Sequence, residues 1–311
     1  MDRAGAGLTE RMHPDELRID EAAASERIAA AFPALAGRPV ERLRSAGTVN
    51  ALFRIGRDHA ARFPLRITTS AAIRAEAAAL AEFADVSPFP APVPLGVAEA
   101  DAGYPSAWSV QTWVPGSVVP VAHDLPPQSH RGLAEDFAVL ICALRRVPLR
   151  GRVFGGEGRG GAFRPHDAWM RECLARSGGL VDVPEVRALW QTLSAVPHPG
   201  REVMSHGDLI PPNLLLAPDG RLGGVLDAGS FGPADPALDL IVAWHVLDLD
   251  GRRALRERLG SDDAEWRRAA GWALQQAMGL GWYYRATNPE MSMLGVRTVR
   301  RILADPDLAW G

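Results

Sequence analysis

Ser205-His-Gly-Asp-Leu-Ile-Pro-Pro-Asn213, continuing as Leu214-Leu-Leu-Ala-Pro-Asp-Gly-Arg-Leu-Gly-Gly-Val-Leu-Asp227, is the stretch that decides how this chain is read. Pro211 and Pro212 stiffen a loop carrying Asp208 and Asn213. Beyond it, the apolar runs 214–217 and 222–226 flank Pro218-Asp-Gly220, a hairpin-turn signal. A hairpin would return Asp227 to the side of Asn213. Two carboxylates and a carboxamide would then converge, and such hard oxygen donors suit Mg2+, which takes one or two carboxylates plus phosphate oxygens and water.

The wider composition narrows the chemistry. With 311 residues, two lobes or domains are expected. A net charge of −3 supplies no basic field for nucleic acid, so no nucleic-acid partner is expected. No apolar run is long enough to span a bilayer, and the start Met1-Asp-Arg-Ala lacks the basic and apolar regions of a signal peptide. No membrane partner and a cytoplasmic location are therefore expected. Cys142 and Cys173 have no metal-ligand spacing and read as reduced, buried thiols. All 34 cationic side chains are arginine, and lysine is absent. That excludes a standard P-loop, whose motif ends in Gly-Lys-Ser/Thr. Any cation gripping a phosphate must be an arginine or a metal ion.

Periodicity divides the chain into a β-rich first part and a helical second part. A helical stripe is read from about Asp15 to Phe32, then short alternating runs at Val40–Leu43, Ala51–Ile55 and His59–Phe63. A helix with Ser70 as its N-cap follows, to about Phe83, then a proline-rich extended connector over 87–94 and a buried strand over 107–114. Further helices are predicted over 133–146, 167–176, 184–193, 238–246, 252–258, 263–286 and 293–303. Gly156-Glu-Gly-Arg-Gly-Gly161 satisfies G-x-G-x-x-G nominally, but no strand precedes it, so it reads as a mobile loop.

The spacing H-x-D-x4-N, then a hairpin and D-x-G, matches the catalytic and metal-binding segments of protein kinases. The His206-Gly-Asp208 form, with Asp235-Pro-Ala-Leu-Asp239 close behind, resembles the aminoglycoside phosphotransferase family, the antibiotic and metabolite kinases of the kinase-like fold. The resemblance implies an α+β, two-lobed protein-kinase-like fold: a small β-rich lobe with one main helix (1–114) and a larger, mostly helical lobe (115–311). It implies Mg2+ with ATP, or GTP, as cofactors and the hydroxyl of a small molecule as acceptor. Asp208 would take or align the hydroxyl proton, His206 would support its loop, and Asn213 and Asp227 would hold Mg2+. Asp239 would anchor the loop or simply cap a helix. In the first lobe, Arg62 stands where the kinase lysine would be, with Glu76 as its ion-pair partner. Ser45, Gly47 and Asn50 fall in the phosphate-covering loop, and Thr112 and Val114 in the adenine-binding linker. The sequence departs from the family pattern in Ala228 of Asp227-Ala-Gly229, in Ile210-Pro-Pro212 and in Arg62 itself.

The acceptor stays open between an antibiotic and a metabolite such as an amino sugar, a choline-like alcohol or a nucleoside. A nucleotide-binding protein without turnover is the third reading. Acidic candidates for a cationic acceptor are Asp167, Glu172, Asp248, Asp250 and Glu290, and candidates for stacking include Trp169, Trp282 and Tyr283.

Overall fold

In a computed structural model that describes residues 16–43, 49–121 and 125–308, the chain builds a five-stranded sheet and then a helical body. The first helix starts later than the pattern predicts. Asp20 is extended and its carboxylate accepts the Ala23 N–H at 2.8 Å, so α1 runs Glu21–Ala31. Leu17 stays extended, its N–H donating to the Leu65 carbonyl at 2.7 Å.

Strands β1 (Val40–Arg42), β2 (Asn50–Ile55), β3 (His59–Pro64), β4 (Pro94–Ala98) and β5 (Trp108–Thr112) form the antiparallel sheet in the order β1-β2-β3-β5-β4. Strand β4 begins at Pro94, the last residue of the expected connector, and runs beyond it to Ala98. It lies at the sheet edge with a register shift between Pro94 and Gly96, where a missing N–H is tolerated. Ala51, Phe53, Ile55, Ala61 and Phe63 are buried on one face with Ala24 and Ile28 of α1, and Phe63 stacks on Trp108 at 4.4 Å. Arg62 lies opposite Leu52, on the other face of the sheet. Helix α2 (Ser70–Val86) is capped by Thr69, whose hydroxyl accepts the Ala72 N–H at 3.2 Å, so Ser70 is the first helical residue rather than the cap.

The second body holds α3 (Pro127–Arg145), α4 (Asp167–Arg176), α5 (Val183–Ser194), α6 (Val242–Val246), α7 (Leu249–Leu259), α8 (Asp263–Tyr283) and α9 (Pro289–Leu303). The expected helix over 238–246 is a 3-10 turn, Leu238–Ile241, passing into α6. Two small sheets interrupt the helices: β6 (Ser117–Val118) with β8 (Leu214–Leu216) and β9 (Leu222–Val225), and β7 (Val203–Ser205) with β10 (Gly232–Ala234). Two apolar clusters result. One gathers residues from Ile19 to Val110. The other runs from Leu80 to Leu308, and α2 gives its buried Leu80 and Phe83 to this second cluster. Cys142 and Cys173 are free thiols, and burial pushes the Cys173 thiol up to about 11. Among the described residues no helix is long and apolar enough to cross a membrane.

A buried ion pair ties the helical body together. Asp235 accepts from Arg268 Nε at 2.7 Å and from Trp272 Nε1 at 2.9 Å, and both charged side chains are almost fully buried. Arg268 also caps the carbonyls of Val196 and Gly161 and lies over the Phe163 ring. Removing one partner leaves the other charge without compensation in the interior, so Asp235→Ala should cost about 3–5 kcal/mol of stability. Urea unfolding followed by circular dichroism measures it, and a cost near zero would refute this account.

Candidate active site

Strand β7 ends at Ser205, and the chain then turns through His206–Pro212. Gly207 makes that turn with φ +82°, a backbone region that favours glycine. A carboxylate holds the turn from beneath: Asp239 accepts the His206 N–H at 3.0 Å and the Gly207 N–H at 2.8 Å. Of its two expected roles, Asp239 fills that of anchor. The fully buried His206 ring accepts the Asp208 N–H at Nδ1 (3.2 Å), which assigns its proton to Nε2, donated to the Leu226 carbonyl at 2.9 Å. One imidazole thereby fixes the backbone beside both Asp208 and Asp227. Phe83 of α2 meets this ring edge-on at 5.2 Å.

The hairpin forms as the turn signal predicts, with Leu214 opposite Val225. The Leu226 N–H donates to the Asn213 carbonyl at 2.8 Å, which sets Asp227 next to Asn213. Asn213 Nδ2 donates to Asp208 Oδ2 at 2.8 Å and to the Asp208 carbonyl at 2.9 Å, leaving its carboxamide oxygen without a role in these bonds. Asp227 has φ +61°, a left-handed backbone that aspartate tolerates better than most residues. Its side chain is half exposed. An exposed carboxylate beside a carboxamide oxygen fits Mg2+, which needs few protein ligands and completes its shell with phosphate and water.

The first lobe differs from expectation in its ion pairing. Arg62 Nη2 donates to Asp227 Oδ1 at 2.6 Å, so its salt bridge crosses to the hairpin instead of joining Glu76. The turned backbone of Asp227 aims its carboxylate at the sheet. Glu76 stays within the electrostatic reach of both groups; burial, set against the attraction of Arg62, leaves its carboxyl above the ordinary value of 4.5. Gly229 lets the hairpin sequel approach α2, since a Cβ there would stand 3.3 Å from the Glu76 Cβ. Asn50 opens β2 opposite Pro64, on the same strand pair as Arg62. Ser45 and Gly47 lie outside the described residues. The Thr112 N–H donates to the Val93 carbonyl and its hydroxyl accepts the Val93 N–H, both at 2.8 Å. Thr112 is thus held within the sheet, and Val114, beyond its last paired residue, is the nearer of the two to the hairpin, against Gly224.

Two polar residues at Asp208 escaped the sequence reading. Arg159, from the glycine-rich segment, donates to Asp208 Oδ1 at 2.7 Å, and Gln276 of α8 donates to the same oxygen at 2.6 Å. The tight glycine spacing around Arg159 was the available signal. Among the acidic candidates, Asp167 accepts from Trp190 at 3.0 Å, Glu172 pairs with Arg176, and Asp248 caps α7. Trp169 and Tyr283 are partly exposed, whereas Trp244 and Trp272 are core.

The raised Glu76 pKa gives a pH signature. In the fold its carboxyl keeps a proton that the unfolded chain releases near 4.5, so its contribution is full below that pH and is lost as pH rises through the higher folded value. Glu76→Gln should therefore be more stable than the parent at pH 7.5, with the gap closing toward pH 4.5. Urea midpoints of both proteins across this range measure the gap; a gap that widens on acidification would contradict the burial argument.

Comparison with known proteins bears on the family and the fold. The sequence is 34% identical over 171 residues to an aminoglycoside 3'-phosphotransferase of Streptomyces fradiae, covering 51% of this chain and 60% of that protein. Over 151 residues it is 27% identical to an Escherichia coli protein of the same description, of which it covers 53%. The matched stretch thus spans between half and three-fifths of these relatives. The fold matches the GDP and kanamycin complex of APH(2")-IIia with a TM-score of 0.69 at 17% identity, over 90% of this chain and 97% of that one. It also matches macrolide 2'-phosphotransferase MphH from Brachybacterium faecium, with a TM-score of 0.59 at 20% identity, over 86% and 96% of the two chains. The likeness to these structures establishes the protein-kinase-like architecture. Residues 19–272 match the model of the APH phosphotransferase enzyme family, and the chain belongs to that family.

Proposed function

We propose that the protein transfers the γ-phosphoryl group of ATP or GTP to a hydroxyl of a small-molecule antibiotic, with residues 1–114 and 115–311 acting as its nucleotide and acceptor lobes. The observation that carries this reading is the joint between loop and hairpin. Asn213 bonds to Asp208 on one side and is clamped beside Asp227 on the other, so a proton-accepting carboxylate and an oxygen-donor pair share one frame.

In this reading Asp208 receives or aligns the acceptor hydroxyl proton, and its three side-chain donors hold the carboxylate in one rotamer. Asn213 and Asp227 would hold Mg2+, which neutralises phosphate charge when bound. Arg62 would grip phosphate oxygens with its planar fork, with the Glu76 carboxyl within its electrostatic reach. His206 positions, through its two backbone bonds, the segments bearing both carboxylates. The linker at Val114 carries the base, and the segment of Ser45, Gly47 and Asn50 covers the phosphates.

For the acceptor, the relatives' descriptions point to antibiotic sugars. Aminoglycosides are polycations, and several of the acidic side chains that could pair with them here are committed to Trp190, Arg176 and a helix cap. That consumption of acid, together with the exposed Trp169 and Tyr283, favours a less cationic, sugar-bearing antibiotic.

ADP release measured against a panel of aminoglycoside, macrolide and nucleoside antibiotics tests the reading. Mg2+-dependent turnover is expected on at least one acceptor, and Asp208→Asn should lower kcat by at least about a hundredfold. Full activity in Asp208→Asn would remove the central role of this carboxylate. Nucleotide binding without turnover on any acceptor would instead make the protein a non-catalytic binder.

A further inference from the structure

The glycine-rich segment, without a dinucleotide to bind, delivers one charged side chain to the reaction centre. Arg159 Nη2 donates to Asp208 Oδ1 at 2.7 Å and to the Gly207 carbonyl at 3.1 Å. Its Nε–H is buried and has no acceptor among the described residues. The loop is fixed on one side of Arg159 and open on the other. The Asp235 N–H donates to the Gly160 carbonyl at 2.7 Å, and Arg268 donates to the Gly161 carbonyl at 3.1 Å. By contrast, a Cβ added at Gly155, Gly156 or Gly158 would meet nothing within 4 Å. Gly158 (φ +70°) and Gly160 (φ +118°) flank Arg159 in backbone that other residues adopt poorly, which aims this one side chain inward.

The surroundings make Arg159 the source of positive charge at Asp208. Burial, with Arg159 second, holds His166 below its ordinary value. Burial, followed by Arg159, pushes the fully buried His245 down to about 3. Both imidazoles are thus neutral at pH 7. On the sheet side, Arg62 is aligned with Asp227.

Phosphoryl transfer puts a demand on this place that no other described contact meets. The acceptor oxygen must lie roughly 2.6–3.2 Å from an Asp208 oxygen. The phosphoryl group that bonds to it would bring its negative oxygens against a carboxylate. A guanidinium already bonded to that carboxylate offsets the repulsion and has an N–H to spare. From this we infer that Arg159 is a catalytic residue, binding the transferred phosphoryl group from the acceptor side while Arg62 binds the nucleotide side. The inference rests on the phosphotransfer reading. In the step, the bond between the γ-phosphorus and the β–γ bridging oxygen breaks and the acceptor O–P bond forms. The acceptor proton passes to Asp208, and the nucleoside diphosphate leaves with the bridging-oxygen electron pair.

Two measurements on Arg159→Ala and Arg159→Gln test it. The first needs no acceptor: calorimetric binding of Mg·ADP with and without aluminium fluoride, a mimic of the phosphoryl group in flight. Aluminium fluoride should tighten binding to the parent protein by at least about tenfold and add little in the variants, with Mg·ADP alone bound equally by all three. The second is turnover, where kcat should fall by roughly a hundredfold or more while the nucleotide KM stays within about threefold. Added guanidinium ion should restore part of the kcat of Arg159→Ala. Equal or faster turnover in the variants would overturn the inference and make Arg159 a plug on Asp208. A loss of turnover with unchanged aluminium fluoride affinity and no guanidinium rescue would also overturn it, leaving a positioning role. If Arg159→Ala does not fold, the binding comparison on Arg159→Gln decides by the same criteria. A parent protein that binds Mg·ADP but gains nothing from aluminium fluoride defeats this inference alone. One that binds neither Mg·ADP nor Mg·GDP defeats the phosphotransfer reading beneath it.

Discussion

Asp239 accepts two successive backbone amides, those of His206 and Gly207, and the reaction centre is built outward from that pair of bonds. A buried carboxylate with two N–H donors is a stiff anchor, because charge-assisted bonds are stronger than neutral ones. From it the His206 ring reaches forward to the Asp208 amide and sideways to the Leu226 carbonyl. Asp208 and Asp227 stand before and after the hairpin, and one imidazole sets the backbone next to each. The neighbouring Asp235 uses the same short segment to hold Arg268 and Trp272 in the helical core. The Asp235-to-Asp239 element thus fastens the catalytic loop and the helical body at once.

The charges of the cleft are arranged in opposed pairs. Asp227 faces Arg62 and Asp208 faces Arg159. In a chain without lysine, each contact is made by a planar fork with several donors, so a guanidinium can hold one carboxylate oxygen and still offer hydrogens elsewhere. Arg159 shows this, dividing one nitrogen between Asp208 and the Gly207 carbonyl. The Glu76 carboxyl beside Arg62 and Asp227 is lifted above its ordinary value by burial.

The readable parts of the site were those encoded over short distances. Loop spacing, the proline pair and the turn at 218–220 placed Asp208, Asn213 and Asp227 correctly relative to one another, and the hairpin formed in the register they imply. Contacts from distant elements were not readable. Arg159 and Gln276 lie 49 and 68 residues from Asp208, and beyond the glycine spacing around Arg159 nothing local points to either. The Arg62–Glu76 pair failed for a different reason. Sequence order pairs a strand with its next helix, whereas the left-handed backbone at Asp227 turns a closer anion toward the strand. Two local features also differed: an edge strand, β4, follows from the last proline of the expected connector, and a capping aspartate cut α1 short of a longer periodic run.

Helix α2 belongs to the first lobe in sequence, with Arg74 paired to Glu99 just past β4, but it packs on both bodies. Its Leu80 and Phe83 are sunk in the second apolar cluster, and Phe83 rests against the catalytic-loop histidine. Glu76 therefore sits on a helix seated against both bodies, while Arg62 belongs to the sheet and is bonded to the hairpin. Any tilt of the sheet over the helical body changes the spacing between Arg62 and Asp227, as two scales slide past each other on a vernier. The angle between the lobes is in this way translated into the electrostatic company of one arginine.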